Sequence, residues 1–192
     1  MREFIAGTTV SPRFDLRVGA TDLEVQTILN LINISGVDSF VEIGVHEGGL
    51  AEHILTTYPR IRYMGIELYH YVVSDSIKRL VARTGNSLIY RDCMNSNTIA
   101  LVSNFLTARA IVYCDNGNKK VEIIHYSKIL SKGDILLTHD YLDGIRIAKD
   151  VNLDYCREVT PEDVKFLEDD PTFERLPEEM FKETRLIGWK KL

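Results

Sequence analysis

Long apolar runs are absent from this 192-residue sequence, and no segment approaches the ~20 consecutive apolar residues that a membrane span needs. The N-terminus lacks the basic and then apolar layout of a signal peptide. Cysteine is scarce: the sequence has 3 cysteines and no CxxC pair, which argues against a disulfide framework and a zinc ribbon. We therefore expect a cytoplasmic protein with no membrane partner.

Basic charge is also in short supply, since 23 Lys and Arg residues face 28 Asp and Glu residues, a net charge of −5. Proteins that hold nucleic acid through bulk electrostatics carry an excess of positive charge, so we expect no nucleic-acid partner. Hydrophobic residues make up 45% and charged residues 27%, which is typical of a globular domain and not of a disordered chain. We expect an N-terminal arm over residues 1–20 and a single domain over residues 21–192.

Short apolar runs alternate with amphipathic segments along the chain. The predicted strands are Ser39–Gly44, Ile61–Glu67, Ser87–Tyr90, Ala110–Cys114 and Asp134–Thr138. The predicted helices are one that begins near Thr21 or Asp22, then Leu50–Thr57, Tyr71–Arg83, Asn95–Phe105, Lys119–Leu130 and Thr160–Leu167. This alternation predicts an α/β fold, a three-layer Rossmann-like sandwich with a mostly parallel sheet. A final strand over Thr184–Lys190 lacks a crossover helix, and we expect it to join the sheet antiparallel.

Ligands of such sheets bind beyond the carboxyl ends of the strands. The first strand contains Glu42 and leads into a turn with Gly44, His46, Gly48 and Gly49. Glycine lets the backbone turn tightly and lets a ligand approach closely, and the following helix N-terminus favours an anion. The turn lacks the GxGxxG spacing of a dinucleotide site, which disfavours an NAD enzyme. A tight turn without a ligand is the alternative interpretation.

The next two strand ends offer groups that suit a nucleoside. Glu67 can accept hydrogen bonds from both hydroxyls of a ribose, as an acidic residue about 20 positions after a glycine turn does in nucleotide-binding folds. Asp92 can bond an adenine amino group, and Cys93 can line the base pocket. The alternative for the latter pair is a capped turn and a small buried side chain.

Acidic residues also follow the fourth and fifth strands. Asp115 comes after the fourth strand, and His139 and Asp140 come after the fifth. Neighbouring parallel strands bring these residues to one edge of the sheet, where two carboxylates repel unless a proton or a metal ion intervenes. Oxygen ligands favour Mg²⁺ or Mn²⁺, so the sequence predicts a divalent metal site, with a structural role for Asp115 as the alternative.

This succession of residues resembles the class I S-adenosylmethionine-dependent methyltransferases over about residues 22–192. The metal-ligand positions are similar to those of the metal-dependent rhamnosyl O-methyltransferase and cephalosporin hydroxylase-like family. The resemblance implies a seven-stranded sheet with an antiparallel last strand, S-adenosylmethionine across the strand ends, and Glu42 near its amino group. It also implies Asp115, His139 and Asp140 as metal ligands, although His139 stands where the family usually has Glu or Asp.

A second departure concerns the base, because Asn118 stands where the sugar enzymes often have a catalytic His. Lys119 is the substitute candidate, since a lysine beside a metal can have a lowered pKa and accept a hydroxyl proton. His46 is a second candidate, and a solvated Lys119 is the alternative. Tyr69, Tyr71 and Tyr141 either wall an acceptor pocket or pack under loops.

The predicted function is S-adenosylmethionine-dependent, metal-assisted methylation of a small-molecule or sugar hydroxyl. Metal-free methylation and a non-catalytic nucleoside-binding or scaffold module are the alternatives. Acceptor choice in this fold depends on the N-terminal arm and on the segment near residues 141–158, which are both short here. The acceptor site is therefore open, or it is completed by a second subunit in a homo-oligomer.

Overall fold

The computed structural model describes residue 16 and residues 19–106, 109–142 and 159–192. Most of the predicted N-terminal arm lies outside the described residues, and so does most of the predicted acceptor segment near residues 141–158. The single domain over residues 21–192 therefore stays a prediction. Among the helices of the described residues, none combines the length and the hydropathy that a bilayer crossing demands.

Strands and α-helices alternate through most of the described chain. The strands are β1 (Ser39–Ile43), β2 (Arg62–Glu67), β3 (Ser87–Tyr90), β4 (Ala110–Cys114), β5 (Ile135–Thr138), β6 (Phe173–Arg175) and β7 (Ile187–Lys191). The helices are α1 (Asp22–Ser35), α2 (Gly49–Thr57), α3 (Asp75–Arg83), α4 (Ser96–Phe105), α5 (Lys119–Tyr126) and α6 (Pro161–Glu168).

These strands form one sheet in the spatial order β3-β2-β1-β4-β5-β7-β6. Strands β1 to β5 pair in parallel, whereas β7 is antiparallel to both β5 and β6. Within the described sheet, β7 is thus the strand that runs against the others. The predicted seven-stranded, mostly parallel sheet with an antiparallel last strand is confirmed.

Alternate side chains of each strand enter two apolar layers. On one face, Phe40, Tyr63 and Tyr113 pack with α1, α2 and α3. On the other face, Val41 and Trp189 pack with α4, α5 and α6. The three-layer sandwich is confirmed, and the helices change face between β1 and β4. The crevice at the carboxyl ends of these two strands is therefore the switch point at which such folds bind ligands.

Helix α1 begins where the sequence predicts. Thr21 Oγ1 accepts the N–H of Glu24 at 3.3 Å, and Glu24 Oε2 accepts the N–H of Thr21 at 2.7 Å, which is a capping box. Glu24 is nevertheless buried, at 1% exposure. The cap therefore also points a carboxylate into the protein.

Some predicted boundaries are wrong. Helix α3 begins at Asp75 and not at Tyr71, because the hydroxyl of Ser74 caps it by accepting the N–H of Ile77. Helix α5 ends at Tyr126 and is followed by a 3₁₀ turn over Ser127–Ile129. The last strand begins three residues after the predicted Thr184, at Ile187.

Candidate functional site

The turn after β1 needs glycine at two positions. Gly44 has a φ of 95°, and a Cβ on it would lie 2.7 Å from the carbonyl oxygen of Asp115. Gly48 has a φ of 93°, and a Cβ on it would lie 2.7 Å from the side chain of Ile77. Helix α2 then begins at Gly49. Gly44 thus allows the turn to approach the loop after β4, and Gly48 allows it to pack against Ile77 of α3.

Glu67 ties this turn to the end of β2. Its carboxylate accepts the backbone N–H groups of His46 at 2.9 Å, Leu68 at 2.8 Å and Tyr69 at 3.2 Å. His46 is exposed and has a φ of 51°, a left-handed conformation that is uncommon for a residue with a side chain. A ribose at this position would meet a carboxylate that the backbone already orients.

The residues after β3 form a capped turn and a small buried side chain, which is the alternative to an adenine contact. The exposed Asp92 accepts the N–H of Met94 at 2.8 Å, which forms a capped turn. The Sγ atom of the buried Cys93 accepts a hydrogen bond from Asn116 Nδ2 at 3.3 Å. Burial raises the pKa of Cys93 to about 11, so its thiol stays protonated. Their contacts with adenine stay predictions.

Glu42 lies in β1, at 3% exposure, and the hydroxyl of Tyr63 donates to its Oε2 at 2.5 Å. Burial raises the pKa of Glu42 to about 8, and the nearby Asp115 and Glu67 raise it as well. Glu42 is therefore a neutral acid at pH 7 that is hydrogen-bonded to Tyr63 within the sheet. Its predicted contact with a cofactor amino group stays a prediction.

The residues after β4 and β5 come together as the sequence predicts. Asp115, His139 and Asp140 each bring a possible metal-ligand atom within 4.8 Å of the others. The Nδ1 atom of His139 lies 3.1 Å from Asp115 Oδ1 and 3.4 Å from Asp140 Oδ1. Asp140 has a φ of 55°, and such strained backbone persists where the surroundings hold it in place.

Two cations already contact these carboxylates. Lys119 Nζ lies 2.9 Å from Asp140 Oδ2 and 3.4 Å from Asp115 Oδ1. Arg185, just before β7, contacts Asp140 Oδ1 through Nη1 at 2.7 Å and Glu24 Oε1 through Nε at 3.2 Å. Glu24 Oε2 also lies 3.2 Å from His139 Nε2. We call this group the charge cluster: Glu24, Asp115, Lys119, His139, Asp140 and Arg185.

The expected lowering of the Lys119 pKa is wrong. Burial alone would lower it, but Asp115 and Asp140 outweigh burial and raise the pKa of Lys119. The same balance acts on His139, whose pKa rises to about 10 because Asp115, Glu24 and Asp140 surround a buried ring. Lys119 is thus an ammonium group at neutral pH, and in this form it accepts no proton.

Glu24 and Arg185 were missed by the sequence analysis, which considered strand ends. Glu24 lies in the first turn of α1, and Arg185 precedes the last strand. The capping-box spacing marked Glu24, but only as a helix signal. No local pattern pairs two residues that are 161 positions apart.

The three tyrosines predicted to wall an acceptor pocket differ in exposure. Tyr141 is 1% exposed and packs in the core, as its alternative interpretation has it. Tyr69 and Tyr71 are exposed, and their rings lie 5.5 Å apart after β2. They are thus placed beside the predicted nucleoside half of the site.

The fold of the chain is similar to that of several solved structures. A protein from Staphylococcus aureus, provisionally assigned as a caffeoyl-CoA O-methyltransferase, is 17% identical with a TM-score of 0.64, over 88% of this chain and 83% of its own. The apo structure of CmcI is 13% identical with a TM-score of 0.67, over 95% and 76%. No protein-family model and no curated protein sequence matches the chain.

A third structure comes with its cofactor. The O-methyltransferase TomG from Streptomyces achromogenes, involved in tomaymycin synthesis, was solved in complex with S-adenosylmethionine. It is 14% identical with a TM-score of 0.60, over 93% of this chain and 84% of its own. The chain has the class I methyltransferase fold.

Within the methyltransferase fold, the candidate residues divide between the two sides of the switch point. The glycine turn, Glu67, Asp92 and Cys93 follow β1, β2 and β3. Asp115, Lys119, His139 and Asp140 follow β4 and β5. The candidate site thus has a predicted nucleoside side and a charged side that meet between β1 and β4.

Proposed function

We propose that this protein is an S-adenosylmethionine-dependent methyltransferase that acts on a hydroxyl group of a small molecule. The observation that carries the proposal is the meeting of a glycine turn and a charged edge at the switch point of a methyltransferase fold. The similar structures named as O-methyltransferases support an oxygen as the acceptor atom. The acidic net charge supports a small acceptor over nucleic acid.

The cofactor half is built by residues that follow β1 to β3. Gly44, Gly48 and Gly49 would admit the methionine part, and Glu67 would hold the ribose. Asp92 and Cys93 would flank the adenine, and Glu42 would lie near the amino group of the methionine part. When bound, S-adenosylmethionine supplies a methyl group on a positively charged sulfur. The support for these roles is position at the strand ends, together with the close approach that the two positive-φ glycines allow.

The acceptor half must take up the proton that the hydroxyl loses when it gains a methyl group. Asp115 is the candidate, because its side chain is 19% exposed and its Oδ2 is oriented by the hydroxyl of Tyr113 at 3.2 Å. His46 is exposed beside the glycine turn and is the second candidate. A carboxylate or an imidazole within hydrogen-bond reach of the acceptor suits general-base catalysis.

Metal assistance is the finer part of the prediction, and the chemistry of the donor set tests it. The grouping of Asp115, His139 and Asp140 supports a divalent ion, and a neutral imidazole would favour Mn²⁺ over Mg²⁺, but the raised pKa of His139 keeps its ring protonated at neutral pH. However, Lys119 and Arg185 already contact both oxygens of Asp140. The donor set therefore does not fit an added divalent ion while these cations keep their places.

Calorimetric titration tests the proposed function. The full chain is titrated with S-adenosylmethionine, with S-adenosylhomocysteine and with NAD as a control, each with and without Mn²⁺. We expect micromolar binding of the two sulfur nucleosides and none of NAD. If a folded sample binds neither sulfur nucleoside, the non-catalytic scaffold becomes the better interpretation.

A matched pair of variants locates the binding. Glu67→Gln removes the charge predicted to bond the ribose, and Glu162→Gln removes an exposed charge from the first turn of α6. We expect about tenfold weaker binding of S-adenosylhomocysteine with Glu67→Gln, the effect of losing about 1.4 kcal/mol of interaction, and no change with Glu162→Gln. Equal affinities of the two variants would remove Glu67 from the cofactor site.

A further inference from the structure

Each carboxylate of the charge cluster is already paired. Asp115 Oδ1 has His139 and Lys119 as partners, and Asp115 Oδ2 accepts from Tyr113. The two oxygens of Asp140 have Arg185 and Lys119. Glu24 Oε1 accepts from the backbone N–H and Nε of Arg185, and Glu24 Oε2 accepts from the N–H of Thr21. All six carboxylate oxygens therefore have a donor within hydrogen-bond or ion-pair distance.

We propose that this protein carries its own cation, with the ammonium group of Lys119 in the place where a divalent metal would bridge Asp115 and Asp140. In the metal-dependent family that the sequence resembles, this position would bind a metal from solution, whereas here a side chain supplies the positive charge. The catalytic meaning of this inference, a metal-independent transfer, rests on the proposed function.

The position of Lys119 carries the inference. It opens α5, the helix that follows β4, so that its side chain lies between the loop after β4 and the end of β5. It is 7% exposed, and its Nζ contacts one oxygen from each of these two segments. A single positive group shared by two carboxylates is the arrangement that a bridging metal ion would make.

A metal ion would need the same oxygens at shorter range. Mg²⁺ binds carboxylate oxygen at about 2.1 Å, so an ion between Asp115 and Asp140 would lie within the volume of the Lys119 ammonium group. Lys119 would have to leave, and its charge would then be buried without a partner or forced into solvent. Arg185 would also disfavour the ion, because its Nη1 lies 2.7 Å from Asp140 Oδ1.

The neighbouring lysine supplies a matched control. Lys120 is the next residue of α5 and is about half exposed. Its Nζ lies 2.9 Å from Asp163 Oδ2, and Asp163 is not part of the charge cluster. Replacement of Lys119 or of Lys120 by alanine removes the same charge from the same helix turn. Only the first replacement removes the ammonium group that Asp115 and Asp140 share, while the contacts of His139 and Arg185 with these carboxylates remain.

The experiment uses the full chain, stripped with a chelator and titrated with MnCl₂ alone while electron paramagnetic resonance measures free Mn²⁺. We expect no saturable binding at micromolar Mn²⁺ by the wild type or by Lys120→Ala. We expect Lys119→Ala to bind one Mn²⁺ with an affinity at least about tenfold higher than that of the wild type. Mn²⁺ should also raise the melting temperature of Lys119→Ala. One Mn²⁺ bound tightly by the wild type would overturn the inference, and so would no gain in Lys119→Ala.

A second variant covers the case in which Lys119→Ala does not fold. Lys119→Met keeps the length of the buried side chain without its charge, and the same gain in Mn²⁺ binding is expected. The wild-type titration also decides on its own whether the site takes a metal. S-adenosylhomocysteine binding, measured in the same stripped sample, reports on the proposed function separately. A protein that binds neither ligand keeps its internal cation but loses the methyltransferase proposal.

Discussion

Glu42 is the residue whose chemistry depends most on its surroundings. It is buried in the middle of the sheet, hydrogen-bonded to Tyr63, and its pKa is raised to about 8. In the unfolded chain the same carboxyl titrates near its ordinary value, about 4.3. The folded state therefore binds this proton more tightly than the unfolded state does. By linkage, the free energy of unfolding falls as the pH rises from about 4.5 to about 8.

The variant Glu42→Gln tests this pH dependence. Glutamine keeps a carbonyl oxygen for Tyr63 and has no proton to lose, so its contribution is constant with pH. We expect the wild type to lose more than about 1 kcal/mol relative to Glu42→Gln between pH 5 and pH 8, measured by urea unfolding at each pH. The difference between the two profiles isolates Glu42, because Glu122 also has a raised pKa and contributes equally to both proteins. Parallel profiles would show that Glu42 is ionised in the fold.

The sequence predicted which acidic residues meet at the charged edge, but not how the positive and negative charges there are paired. Asp115, His139 and Asp140 were predictable because parallel neighbours end at one edge of a sheet. The direction of the Lys119 pKa was not, because the prediction placed a metal beside the lysine where the structure has two carboxylates. Arg185 and Glu24 belong to opposite ends of the described chain, and their pairing depends on where β7 enters the sheet.

At the scale of elements, the turn between β1 and α2 fixes the geometry of the switch point. Gly44 has a positive φ, and the backbone of Asp115 lies where a Cβ on Gly44 would be. Gly85 also has a positive φ, of 72°, but a Cβ there would meet nothing within 4 Å. Substitutions at the two glycines therefore separate the cost of a left-handed backbone from the cost of steric crowding at the Cβ position.

Alanine at each position measures the two effects. Gly85→Ala should cost about 1 kcal/mol of unfolding free energy, the price of a left-handed residue with a side chain. Gly44→Ala should cost more than about 2 kcal/mol, because the backbone of Asp115 must move, and it should weaken S-adenosylhomocysteine binding. Urea unfolding and calorimetry measure the two quantities. Similar losses in both variants would mean that the turn yields without disturbing the loop after β4.

Elements with strong local signals were predictable, and those without were not. Strands β1 to β5 are apolar runs bounded by turn residues, and each lies within one residue of its predicted bounds. Strand β6 has three residues, of which Glu174 and Arg175 are exposed, so it shows no apolar run. It exists because β7 offers it a partner, and that is a property of the sheet and not of the segment.

At the scale of the whole molecule, both apolar layers are built on the same sheet. Trp189 in β7 is fully buried in one layer, and Tyr63 and Tyr113 of the central strands are buried in the other. Loss of the sheet removes the support of both layers at once. The described residues should therefore unfold cooperatively.

The single tryptophan reports on this cooperativity. We expect the fluorescence of Trp189 to shift to the red in urea with the same midpoint as the loss of far-ultraviolet circular dichroism. The first signal follows the β7 side of one layer, and the second follows the helices of both layers. Two separate midpoints would show that the antiparallel edge of the sheet unfolds on its own.

The pairing of Glu24 with Arg185 also has a consequence for the order in which the chain assembles. Synthesis proceeds from the N-terminus, so α1 with its inward carboxylate is complete long before Arg185 has been made. Strands β1 to β5 can pair among themselves in that interval, whereas the arginine arrives with β7. Contacts of such long sequence separation form late and slowly. We therefore expect an intermediate during synthesis in which strands β1 to β5 are paired but the charge cluster has not yet formed.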